Sequence, residues 1–202
     1  MNKCIILCAG GFDGLLEKPG KDDYLIAADG GYRHAQSLGL TPDCILGDFD
    51  SLGFVPEGAK VFPVEKDDTD AMLAVRHGLS LGFTEFVIYG SLDGDRLDHT
   101  VANLQTLLFL AERGATGSLV GNTQIATVVK NSALSMSARS EGILSVFAMG
   151  GKAKGVNIKG LQYEVENATL TPDFPLGVSN HWAGKPALIS VEDGTLLVIF
   201  ER

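Results

Sequence analysis

Up to residue 123, each short apolar run of this chain stops at or near a glycine or an aspartate, and stretches of helical spacing stand between several of the runs. Residues 3–9 are continuously apolar. Residues 24–28 form a second run, which ends at Asp29-Gly30-Gly31. Residues 32–38 read as a short helix that stops at Gly39. Residues 44–46 are apolar and end at Gly47, and residues 61–64 give a fourth strand. Residues 69–81 carry helical spacing, with Met72, Val75 and Leu79 on one face. Residues 85–89 form a strand closed by Gly90. Residues 98–112 form a longer helix, with Val101, Leu104, Leu108 and Ala111 recurring every three or four positions, and residues 118–120 close the series. Strands that alternate with helices predict an α/β layer, a mostly parallel, Rossmann-like sheet with helices on both faces.

After residue 123 the pattern changes. Residues 125–129, 143–148, 155–158, 187–191 and 196–200 are short strand candidates punctuated by Gly, Asn and Asp, and no helical period of useful length appears. Asp193-Gly194, between 187–192 and 195–200, predicts a hairpin turn. The expected organisation is an α/β domain over 1–123 followed by a small antiparallel β-sandwich over 124–202.

Composition narrows the classes of partner. The formal net charge of −9 over 202 residues argues against sequence-blind nucleic-acid binding and against an anionic membrane surface. No run approaches the roughly 18 apolar residues of a membrane span. The apolar N-terminal run is about seven residues, at the short limit for a signal peptide, and reads as a buried strand. Cys4, Cys8 and Cys44 form no Cys-x-x-Cys pair, which suggests reduced core thiols in a cytoplasmic protein.

Four polar loops carry the chemistry: Ala28-Asp29-Gly30-Gly31, Gly47-Asp48-Phe49-Asp50-Ser51, Lys66-Asp67-Asp68-Thr69-Asp70 and the tract from Asp93 to His99. In extended chain Asp48 and Asp50 point to one side, and two carboxylates so aimed need a cation between them or a shared proton. Hard oxygen donors suit Mg²⁺ together with substrate phosphates. Each loop also has a plain structural reading: an acidic turn at 48–50, a helix cap from Asp67, Asp68 or Thr69 with Asp70 at the helix's positive end, a strand exit at 29–31, and local pairing of Arg96 with Asp95 and Asp98. Taken together, all four follow predicted strands and gather at one sheet edge, where open α/β sheets bind ligands. So acidic a site suits a phosphate compound only with a divalent metal. There is no Gly-x-x-x-x-Gly-Lys-Ser/Thr loop, no zinc-type His/Cys cluster and no Gly-x-Ser-x-Gly elbow.

The ordered set of loops, continued by Gly160-Leu161-Gln162-Tyr163 and Gly177-Val178-Ser179-Asn180-His181-Trp182, resembles the thiamine pyrophosphokinase family from about residue 5 to the C-terminus. The resemblance implies transfer of the diphosphate of ATP to the hydroxyl of thiamine, with release of AMP. It also implies Mg²⁺ and a homodimer whose active site is completed across the interface. By motif position, Asp29, Asp48, Asp50 and Asp70 match catalytic carboxylates, with Asp48, Asp50 and Asp70 as metal ligands. Asp29, Gly30, Arg96, Asp98 and Asn103 match the ATP side, and Ser179, Asn180 and Trp182 the thiamine side. Trp182 suits stacking on a cationic thiazolium, or else a place in the sandwich core. Asp70 or Asp50 is the expected base. The rival readings are a related pyrophosphokinase acting on a hydroxymethylpterin and a silent thiamine- or nucleotide-binding protein.

Overall fold

In the computed structural model, which describes residues 2–63 and 67–202, the chain forms two compact units, Met1–Asn122 and Thr123–Arg202. The first contains β1 (Cys4–Leu7), β2 (Tyr24–Ala28), α1 (Gly31–Ser37), β3 (Cys44–Gly47), β4 (Lys60–Val61), α2 (Asp70–Ser80), β5 (Glu85–Tyr89), α3 (Leu97–Ala111) and β6 (Thr116–Val120). Among the described residues its strands lie in the order β6-β5-β1-β2-β3-β4, and every neighbouring pair is parallel. Ile6 stands in register with Ile26 on one side and Ile88 on the other. Ile6, Leu7, Ile26, Leu46, Phe86, Ile88 and Leu119 are sealed from solvent. Burial of consecutive residues, rather than alternate ones, is what a parallel sheet covered on both faces requires.

Because the strands run the same way, the loops after β1, β2, β3 and β5 all leave from one edge. The chain order reverses between β1 and β5, but the two exits are laced together there. Cys8 N–H donates to Tyr89 O at 2.9 Å, Gly10 N–H to Gly90 O at 2.9 Å and Gly11 N–H to Asp93 O at 2.6 Å. The unassigned loop after β1 therefore begins as an extension of sheet pairing, and the loops that carry Asp29 and Asp48–Asp50 lie on the β2–β3 side of the reversal, with the Asp93–His99 tract on the other.

The helix faces differ from the periodicity reading. On α2 the buried residues are Ala71, Ala74, Val75 and Gly78, so Met72 and Leu79 flank the packed face. Gly78 sits where a Cβ would stand 2.6 Å from the Phe86 ring and 2.7 Å from Cys4 Sγ, so small residues set the close approach of α2 to the sheet. On α3 the buried set is Asn103, Thr106, Leu107 and Leu110, and Val101 is exposed. A helix with apolar residues around much of its circumference does not specify which stripe is sequestered; the sheet does. The strand expected at 61–64 is the two-residue β4, and Val64 lies outside the described residues.

The second unit contains β7 (Gln124–Lys130), β8 (Ala133–Met136), β9 (Ile143–Ala148), β10 (Ala153–Lys159), β11 (Val165–Leu170), β12 (Gly177–His181), β13 (Ala187–Ser190) and β14 (Thr195–Glu201). Two antiparallel arrays, β12-β9-β14-β7 and β11-β10-β13-β8, enclose one core that includes Leu144, Val146, Val156, Ile158, Ile189, Leu196 and Val198. The expected hairpin at Asp193-Gly194 is not formed. β13 pairs with β8 and β10, whereas β14 pairs with β7 and β9. The turn instead carries the chain from one sheet to the other: Lys154 N–H donates to Asp193 O, and Gly194 has φ +120° with Lys152 O 2.7 Å from where a Cβ would be.

Candidate active site

Three aspartates meet at the carboxyl end of β2 and β3. One carboxylate oxygen from each of Asp29, Asp48 and Asp50 lies within 4.8 Å of the others. Asp29 follows β2 with φ +46°, a left-handed conformation that a non-glycine residue adopts only when its surroundings impose it. Its N–H donates to Leu46 O at 2.8 Å, which ties it to β3. Gly47, at φ +148°, lies so close that a Cβ there would stand 3.0 Å from the Asp29 nitrogen and Cα. The loop continues through Phe49, also left-handed at φ +61° and buried at 3% exposure, which anchors the turn from beneath. Asp48 Oδ1 accepts from Asp50 N–H at 3.3 Å, the Asx geometry that an acidic turn predicts. Asp48 and Asp50 therefore share a side because the intervening phenylalanine is buried.

Asp29 is only 8% exposed. Its Oδ2 accepts a hydrogen bond from Ser51 Oγ at 2.7 Å, and its Oδ1 is buried with no hydrogen-bond partner. An unsatisfied buried acceptor costs about 1–3 kcal/mol, and more when charged. Together with the neighbouring carboxylates, it makes a group of hard oxygens that could hold a divalent cation. Ser51 is the residue that sequence reasoning left without a role, although it closes the Gly47-Asp48-Phe49-Asp50-Ser51 motif.

Asp70 lies in the first turn of α2 and is not one of the three grouped oxygens. Thr69, not an aspartate, caps that helix, its Oγ1 accepting from Met72 N–H at 3.2 Å. Asp68 pairs with Arg76 at 3.0 Å. Lys66, in the same loop, lies outside the described residues. Burial pushes the Cys8 thiol up to about 12, and Asp70 and Asp29 add to the shift, so both carboxylates act on the same buried sulfur.

The residues of the fourth loop are divided. Arg96 and Asp98 form an exposed pair at the start of α3. Hydrogen bonding to the Arg96 guanidinium holds the Asp98 carboxyl below its ordinary value. Asn103 is buried and donates from Nδ2 to Ser91 O at 2.8 Å, bracing α3 against the loop after β5. Gly30 is buried at the start of α1.

In the second unit, Ser179 is exposed at φ +60°, its N–H donating to Ser145 Oγ at 3.1 Å. Asn180 is 4% exposed and engaged at both ends of its amide: Nδ2 donates to Tyr163 O at 2.7 Å, and Oδ1 accepts from Tyr163 N–H and His181 N–H at 2.9 Å each. Trp182 is 5% exposed within the β-unit core, with the Arg139 guanidinium 5.5 Å from its ring. This placement puts Trp182 among the packed residues of the β-unit.

Two family models match the chain: "Thiamin pyrophosphokinase, catalytic domain" over residues 18–116, and "Thiamin pyrophosphokinase, vitamin B1 binding domain" over residues 133–196. No curated protein sequence is similar enough to count as a match. Among solved structures, the fold is similar to thiamine pyrophosphokinase from Bacillus subtilis, with TM-score 0.86, 22% identity and 99% of each chain covered. It is also similar to a thiamin pyrophosphokinase family protein from Enterococcus faecalis, with TM-score 0.82, 21% identity and 100% and 99% of the two chains covered. For thiamin pyrophosphokinase from Candida albicans the TM-score is 0.76 at 16% identity, covering 99% of this chain and 88% of that one. At such identities these likenesses establish the fold alone.

Proposed function

The chain belongs to the thiamin pyrophosphokinase family and carries that family's diphosphokinase activity, and from this premise we propose that it moves the diphosphate of ATP onto the hydroxyl of thiamine, releasing AMP, at the aspartate cluster after β2 and β3. The observation that carries the proposal is the buried, unpartnered Oδ1 of Asp29 among the carboxylates of Asp48 and Asp50. These are the residues that would hold Mg²⁺, which when bound offsets phosphate charge and fixes the orientation of the polyphosphate. The donor set differs from the sequence expectation in one member, Asp29 in place of Asp70.

A primary alcohol is a poor nucleophile at neutral pH and needs a base placed to receive its proton. Asp70, an aspartate outside the proposed cation donor set, is assigned that part. Arg96 and Asp98 are assigned to the nucleotide side. A planar guanidinium can exchange an exposed carboxylate partner for two phosphate oxygens. Asn103 supports them by bracing α3, and Gly30 by letting the backbone approach the nucleotide. On the acceptor side Ser179 is the exposed hydroxyl assigned to thiamine. Asn180 shapes the Tyr163 backbone beside it, and Trp182 serves as packing.

We read the first unit as Rossmann-like and the protein as cytoplasmic, which the buried free thiols Cys4, Cys8 and Cys44 support. No helix among the described residues is long and apolar enough to cross a membrane. A homodimer with a shared active site is supported by the exposed Ile143, Phe174, Leu176 and Val178 around the outer strand β12. The test is to incubate the protein with ATP, Mg²⁺ and thiamine and to separate the nucleotides. AMP together with thiamine diphosphate is expected. ADP, or no turnover with thiamine still bound, would sink the proposal.

A further inference from the structure

The two carboxylate oxygens of Asp29 have different surroundings. Oδ2 receives the Ser51 hydroxyl at 2.7 Å, and Oδ1 is buried without a partner. The main chain beneath is fixed by the Asp29–Leu46 hydrogen bond and by the close approach of Gly47. The remaining freedom is rotation of the carboxylate about its last torsion, a broad and soft one in aspartate. The serine hydroxyl removes that freedom.

We infer that Ser51 is a positioning residue: its hydroxyl holds Oδ2 of Asp29 so that Oδ1 is presented to a divalent cation shared with Asp48 and Asp50. This rests on the metal reading proposed above. It gives the loop after β3 two tasks, because the segment that supplies Asp48 and Asp50 also orients the third donor, which belongs to a different strand. Partners of this kind fix the direction and basicity of a ligand atom without touching the metal.

The measurement is Mn²⁺ binding to the full chain without nucleotide, followed through the electron paramagnetic resonance signal of free Mn²⁺ and by calorimetry. Wild type, Ser51→Ala, Ser51→Thr and Asp48→Asn are compared, with melting curves for each. Loss of an outer-sphere partner is expected to weaken Mn²⁺ binding by about tenfold or more in Ser51→Ala, beyond the modest drop in melting temperature that follows from leaving Asp29 Oδ2 without its donor. Ser51→Thr, which keeps the hydroxyl, is expected to restore it. In turnover, Ser51→Ala is expected to raise the metal concentration needed for half-maximal rate more than it lowers kcat at saturating metal. If Asp48→Asn loses Mn²⁺ while Ser51→Ala binds it as wild type does, the positioning role is overturned and the metal site stands. If wild type and Asp48→Asn bind Mn²⁺ equally, or wild type binds none, the metal reading itself falls.

Discussion

At the residue scale, the site is built from conformations that side chains rarely adopt. Asp29 and Phe49 are left-handed, and Gly47 is pressed against Asp29. Strain of this kind persists only where neighbours over-determine it, and here the neighbours are the β3 backbone and the Ser51 hydroxyl. Asp48→Asn and Asp50→Asn keep the shape of the loop and remove one charge each. Both are expected to abolish AMP release from ATP and thiamine while the melting temperature changes little; wild-type rates in both would remove the cluster from the mechanism. Asn180 is the opposite case. Its amide satisfies both the N–H and the C=O of Tyr163 in a buried setting. Asn180→Ala is expected to cost about 1–3 kcal/mol in urea denaturation, from the polar groups left unpaired. A variant of unchanged stability that binds thiamine poorly would instead make Asn180 a direct ligand contact.

At the element scale, the strands that sequence reading misses are informative. β8, β11 and β12 show no continuous apolar run, and each lies at an end of its array. An outer strand packs on fewer neighbours and carries polar side chains that discourage further pairing, so its composition does not announce it. Among the legible strands of the second unit, β9, β10, β13 and β14 lie inside an array. On α2 the cap was legible as a class of residue but not as an individual one, since Asp67, Asp68 and Thr69 all qualify. The structure assigns it to Thr69. Thr69→Ala is expected to cost about 1 kcal/mol of stability. It is also expected to lower activity, because the capped turn carries Asp70. Equal melting temperatures for the variant and wild type would show that the cap contributes nothing.

At the scale of the whole molecule, burial sets the response to alkali. Burial pushes the thiols of Cys4 and Cys8 from the ordinary 9.0 to about 12. Their protonated form is therefore favoured by folding. The contribution is complete below the unfolded value and is lost as pH rises through the folded one. Between about pH 9 and 12 the unfolded chain releases protons that the native one keeps, so stability falls with pH, by up to about 1.4 kcal/mol per pH unit for each thiol. Urea midpoints measured across that window check this. Midpoints that do not fall, or that fall equally in a Cys4→Ala/Cys8→Ala variant, would refute it. The sequence by itself determined the two-part plan, the parallel α/β layer, the acidic loops at one edge and the family, because strand and helix periods and loop motifs are local properties of a chain. It could not determine which helix stripe meets the sheet, that Asp193-Gly194 crosses between sheets, that Asp29 stands with Asp48 and Asp50, or that Trp182 is buried. Each of these depends on which distant segments come within a few ångströms of one another, and that is decided by packing the whole chain.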